Sequence, residues 1–118
     1  MNYKKVEVNR DKWFSLSLAE QLGNTGSEID RYVNLLKREE PENAQIAFYR
    51  AVDLLDLTKQ SPKISRAQRK EVAKVKEVIC DSVVNAGGNY NTPIEYFQKY
   101  FMDFALVARR QHAERRKA

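Results

Sequence analysis

Seven cations in two distant stretches are the residues whose chemistry stands out: Lys63, Arg66, Arg69 and Lys70, then Arg109, Arg110 and Arg115. Ammonium and guanidinium groups gathered this way attract phosphates or the carboxylates of an acidic protein surface. They belong to a wider sorting of charge. Met1 to Lys12 holds four basic against two acidic side chains, Lys59 to Lys76 holds seven against Glu71 alone, and Arg109 to Ala118 holds five against Glu114. These segments carry +12 and the remainder −7, which the net charge of +5 conceals.

Other reactive residue types lack the spacing that reactions need. His112 is the single histidine, with no Ser or Cys placed to form a nucleophile and base pair. The ribonuclease motif of helical HEPN domains sets its Arg further ahead of its His than Arg109 and Arg110 stand ahead of His112, three and two positions. Carboxylates one turn apart occur at Asp53 with Asp56 and Glu77 with Asp81. A di-metal bundle would also need Glu-x-x-His ligands, which are missing. Cys80 stands alone, against a structural zinc site or an intrachain disulfide. The sequence thus predicts no catalytic residue, no metal and no cofactor.

The elements that must position the cations read as four helices. Ser17-Leu-Ala-Glu20 is a capping box, followed by Leu18, Leu22, Ile29, Tyr32, Val33 and Leu36 at helical spacing. Gly23 and Gly26 interrupt this stripe at roughly 1 kcal/mol each relative to Ala, which predicts a close neighbour there, with a ligand contact as the alternative. Glu39-Glu40-Pro41-Glu42 ends one helix and opens the next, whose stripe is Ala47, Phe48, Ala51, Leu54, Leu55 and Thr58. After a loop with Pro62, Ser65 caps a third helix with Val72, Val75, Ile79 and Val83 inward, and Ala86-Gly87-Gly88 stops it. Thr92-Pro93-Ile94-Glu95 is a second capping box. Behind it Ile94, Phe97, Phe101, Phe104, Ala105 and Ala108 line one face, widened by Tyr96, Tyr100 and Val107. Such a face reads as core, with a stacking platform for bases as the alternative.

Short connections make consecutive helices antiparallel neighbours. The expectation is an all-α, up-down-up-down four-helix bundle over residues 13–112. An N-terminal arm or short strand precedes it at 1–12, and a basic tail follows at 113–118. In that arrangement the basic segments share one pole. Arg66, Arg69 and Lys70 fall in the first turns of the third helix, where the dipole disfavours cations, so stability gives no reason for them. Glu20, Asn24 and Arg31 on the first helix, Arg50 on the second and Asp81 on the third form a candidate polar network that fixes register. A small-ligand site among them is the alternative. With 118 residues, 42% hydrophobic content, one cysteine and no signal-like or membrane-spanning run, the chain reads as a single cytoplasmic domain with no membrane partner.

The pattern Trp13-Phe14-x-Leu16-Ser17-Leu18-x-Glu20-Gln21-Leu22-x-Asn24-x-Gly26-Ser27-Glu28 is followed by Arg50-Ala51-x-x-Leu54-Leu55-Asp56-Leu57-Thr58, Cys80-Asp81 and Lys99-Tyr100-Phe101. It resembles small, uncharacterised prokaryotic helical-bundle proteins. In architecture and charge the chain is similar to the four-helix-bundle class of proteins encoded in 23S ribosomal RNA intervening sequences and the accessory variability proteins of diversity-generating retroelements. The latter are basic oligomers that bind a reverse transcriptase and nucleic acid. The mixed sign of this chain's surface departs from that class.

The expected function is a non-enzymatic bundle that binds RNA, DNA or a nucleoprotein through its basic pole, using Lys63, Arg66, Arg69, Lys70, Arg109, Arg110 and Arg115. The alternatives are an adaptor or antitoxin-like partner that covers an acidic surface of a nucleotidyltransferase or toxin, and a small-ligand-binding bundle. Unlike charges on opposite surfaces also predict a homo-oligomer.

Overall fold

The structure, a computed structural model, describes residues 8–84 and 93–117, and among them it is all-α. Five helices follow in order: α1 (Arg10–Ser15), α2 (Leu18–Lys37), α3 (Pro41–Lys59), α4 (Arg66–Val84) and α5 (Ile94–Lys117). The alternating segment Tyr3 to Val8, the glycine stop at 86–88 and the Thr92 cap fall wholly or largely outside the described residues. None of the described helices is long and apolar enough to cross a membrane.

The starts are set by the residues the sequence marks. Ser17 Oγ accepts from Glu20 N–H at 3.1 Å while Glu20 Oε1 accepts from Ser17 N–H at 3.0 Å, closing the capping box of α2. Ser65 and Gln68 make the same reciprocal pair at the start of α4, at 2.8 and 3.1 Å. Pro41 occupies the opening of α3 behind Glu40. Between α2 and α3 the chain turns through Glu39, whose φ of 60° is the left-handed conformation that usually belongs to glycine. The N–H groups of Glu39 and Glu40 then close on the carbonyls of Leu36 and Leu35, at 3.1 and 2.9 Å.

Packing centres on α2, which lies against both α3 and α5, while α4 rests mainly on α3 and only lightly on α5. Leu22, Ile29, Phe48, Ala51, Leu55, Val72, Ile79, Phe97 and Phe101 form the core. The glycines of α2 allow the close approach to α5. A Cβ on Gly23 would sit 3.1 Å from Ala105 Cα, and one on Gly26 would overlap Phe101 Cβ. Position numbers thus rise along α2 as they fall along α5, a register continued by the hydrogen bond from Gln98 Nε2 to Asp30 Oδ1 at 3.0 Å. Leu36, expected in the apolar stripe of α2, and Tyr96 and Val107, expected to widen the face of α5, are exposed instead.

Two features differ from the sequence expectation. A fifth helix, α1, spans the boundary at which the arm was expected to give way to the bundle, opened by Asn9, whose side chain accepts from Lys12 N–H at 3.0 Å. Trp13 anchors it: the indole is buried, Nε1 donates to Thr58 Oγ1 at 3.2 Å, and the Trp13 carbonyl accepts from Gln21 Nε2 at 2.8 Å. At the other terminus α5 continues to Lys117, so the expected tail is helical throughout its described length.

Candidate functional site

The start of α2, the α3–α4 loop, the start of α4 and the C-terminal half of α5 are joined by side-chain bonds. Ser17 Oγ donates to Gln111 Oε1 at 2.8 Å, and Lys63 Nζ donates to the Ser15 carbonyl at 3.3 Å. Ser17, Lys63, Gln68 and Gln111 also line one groove.

The seven predicted cations divide by what they touch. Arg69 lies across the end of α3, donating from Nε to the Lys59 carbonyl at 2.8 Å and from Nη2 to the Ser61 carbonyl at 3.1 Å. Its charge therefore meets the electronegative terminus of α3, where a cation is favourable, although it sits in the second turn of α4. This corrects the expectation that stability gives no reason for it. Arg115 pairs with Glu20 at 3.5 Å, and Lys63 bridges to α1 as described. Arg66, Lys70, Arg109 and Arg110 are exposed and carry no hydrogen bond or ion pair among the described residues.

Neighbouring cations are internally occupied as well. Asp56 takes Lys76 at 2.6 Å and Lys59 at 3.4 Å. Burial alone would raise the Asp56 carboxyl, but these two ammonium groups outweigh it and lower it. The Glu20 carboxyl is also lowered, first by the backbone N–H of Ser17, then by the Ser17 hydroxyl and Arg115. Arg10 donates to Gln60 Oε1 at 2.8 Å and lies 5.3 Å above the Phe14 ring.

The candidate polar residues Glu20, Asn24, Arg31, Arg50 and Asp81 are spread over the molecule. Glu20 serves the cap of α2, Asn24 is exposed, and Arg31 pairs with Glu28 at 3.8 Å. Arg50 is exposed and bonds neither Glu20 nor Asp81. Arg31 and Arg50 do share one shallow groove of about 250 Å³ with Leu35, Asn43, Ile46 and Ala47.

Three reactive residue types have defined surroundings among the described residues. His112 is exposed. Burial pushes the Cys80 thiol up, away from the reactive thiolate. Tyr100 is raised by burial and by donating its hydroxyl to Glu71 Oε1 at 2.8 Å. Among the described residues no three His, Cys, Asp or Glu side chains group to hold a metal ion.

Sequence reasoning missed two structural roles at this end, the Trp13 anchor and the Arg69 clamp. Trp13 carried a signal, since a lone Trp ahead of a capping box has apolar area to bury. Arg69 carried none, because its acceptors are backbone carbonyls. No protein family, curated protein or solved structure matches the chain.

Proposed function

We propose that α2 to α5 form an antiparallel up-down-up-down bundle, and that the protein is a non-enzymatic binder of nucleic acid or a nucleoprotein through its basic end. One observation carries the reading: Arg66, Lys70, Arg109 and Arg110 are exposed and uncommitted, whereas Arg69, Lys63 and Arg115 are engaged by the fold. Exposed cations without a structural task suit phosphate contacts. Titrating RNA and DNA oligonucleotides at two salt concentrations is the test. Four phosphate contacts give log Kobs a slope of about −3.6 against log salt on duplex and about −2.8 on single strands. Absence of binding at low salt removes the reading.

A second reading, an adaptor that covers a partner such as a nucleotidyltransferase or toxin, draws on the outward apolar side chains of α5. Met102 is 51% and Leu106 44% exposed. Self-association would use unlike charges on neighbouring subunits. It predicts a mass above the monomer that falls as salt rises.

A further inference from the structure

A groove of about 400 Å³ opens between the α1–α2 junction, the α3–α4 loop, the start of α4 and the C-terminal half of α5. Leu16, Ile64, Phe104 and Val107 give it apolar walls, with Gln68 and Gln111 among its polar groups. Gln68 commits Oε1 to Ser65 N–H, and Gln111 commits Oε1 to the Ser17 hydroxyl. Each amide therefore keeps an NH₂ group that has no partner among the described residues. Lys63 also lines the groove, and Arg110 follows Val107 by one turn on α5, with Glu114 one turn further. Phe104 is half-buried, its ring 5.2 Å from Tyr100 in an edge arrangement.

A groove with apolar walls and a few spare donors, one helical turn from the uncommitted Arg110, suits a heterocycle attached to a phosphate chain. Bases paired and stacked in a duplex present only their edges and cannot enter such a groove, whereas an unstacked base of a single strand can. We infer that the basic end takes single-stranded nucleic acid and receives one unstacked base in the groove lined by Phe104, Val107, Gln68 and Gln111. This rests on the nucleic-acid reading above and names the form of nucleic acid that reading leaves open.

The test uses the full chain and labelled 12-nucleotide RNA and DNA strands, each alone and as a duplex with its complement, read by fluorescence anisotropy at low salt. Two variants address the groove. Val107→Trp fills it from a position 37% exposed. Gln68→Glu keeps the capping box, because a carboxylate accepts from Ser65 N–H as the amide does, and removes the spare donor. Single strands are expected to bind about tenfold more tightly than duplex, the scale of one stacked base. Both variants should erase that preference while leaving duplex binding within a factor of about two to three, which one added charge can account for. Circular dichroism confirms that each variant folds. Equal affinity for single strand and duplex, or a preference that survives both variants, overturns the groove inference and leaves the basic-end reading standing. Binding to neither form overturns both.

Discussion

Arg69 reaches back from α4 to the Lys59 carbonyl at the end of α3, at 2.8 Å, and so ties the two helices across the turn between them. The charge-assisted bonds to Lys59 and Ser61 close a helix terminus whose carbonyls otherwise have no acceptor role within α3. Removing them by Arg69→Ala should cost about 1 kcal/mol, discounted for exposure, and lower Tm by about 4 °C. Arg69→Lys should recover only part of this, because one ammonium cannot match the fork of the guanidinium. Thermal melts of both variants beside Arg66→Ala check the point, since Arg66→Ala is expected to leave Tm unchanged.

The two glycines of α2 should respond differently to alanine. A Cβ on Gly26 overlaps Phe101 in the core, so Gly26→Ala is expected to destabilise by about 1 to 3 kcal/mol through overpacking. At Gly23 the contact with Ala105 is 3.1 Å, tight but at a more open position, and the helix gains about 1 kcal/mol in propensity. Gly23→Ala should lie within about 1 kcal/mol of the unmodified protein. Denaturant midpoints that rank the pair the other way would show that α2 and α5 approach elsewhere.

This pair also shows what was legible in the sequence. Glycines inside an apolar stripe signal a close neighbour, and the buried stripes of α2 and α3 follow from their 3.6-residue period. The reciprocal caps at Ser17 and Ser65 follow from residue type and spacing. What escaped has a physical cause. The six residues of α1 are too few to show a period, and the segment is held by Trp13 against Thr58, forty-five positions away. The last turns of α5 have no apolar stripe past Ala108, yet Ala113, Glu114, Arg115, Arg116 and Lys117 are all strong helix formers, and Arg115 is held by Glu20. The candidate site was legible only as a charge count. Which cations the fold consumes depends on tertiary contacts such as that of Arg69.

Glu39 pays a conformational cost that glycine would not. Its φ of 60° closes α2 in a Schellman turn, and its side chain makes no hydrogen bond or ion pair among the described residues to compensate. Glu39→Gly is expected to stabilise by about 0.5 to 1 kcal/mol, although the substitution enlarges the entropy of the unfolded chain. A rise in Tm of a few degrees checks this, and a fall would mean that the Glu39 side chain contributes to folding.

Acid sensitivity should be partly localised at Glu20. Its carboxyl is held low in the folded chain, chiefly by Ser17 N–H and then by Arg115, so the ionised form stabilises folding. A group depressed in this way contributes fully above its unfolded value, about 4.3, and loses that contribution as pH falls through the folded value. Tm measured from pH 6 to pH 3 should therefore fall less steeply in Glu20→Gln than in the unmodified protein. Equal slopes would assign the acid response to other carboxylates, Asp56 first among them.

Neutralising the uncommitted cations should separate binding from stability. Arg66→Ala with Lys70→Ala removes two exposed charges that bond no described residue, and Arg109→Ala with Arg110→Ala removes two more. Arg109 and Arg110 lie two turns before the end of α5, so their loss to the helix dipole is small and Tm should shift by no more than about 2 °C. If these residues contact phosphate, each pair should lower the magnitude of the salt slope by about 2 and weaken binding without regard to base sequence. Arg69→Ala is expected to do the reverse, lowering Tm with little change in slope. A variant set in which Tm and salt slope fall together would mean that the division between structural and ligand-facing cations is drawn in the wrong place.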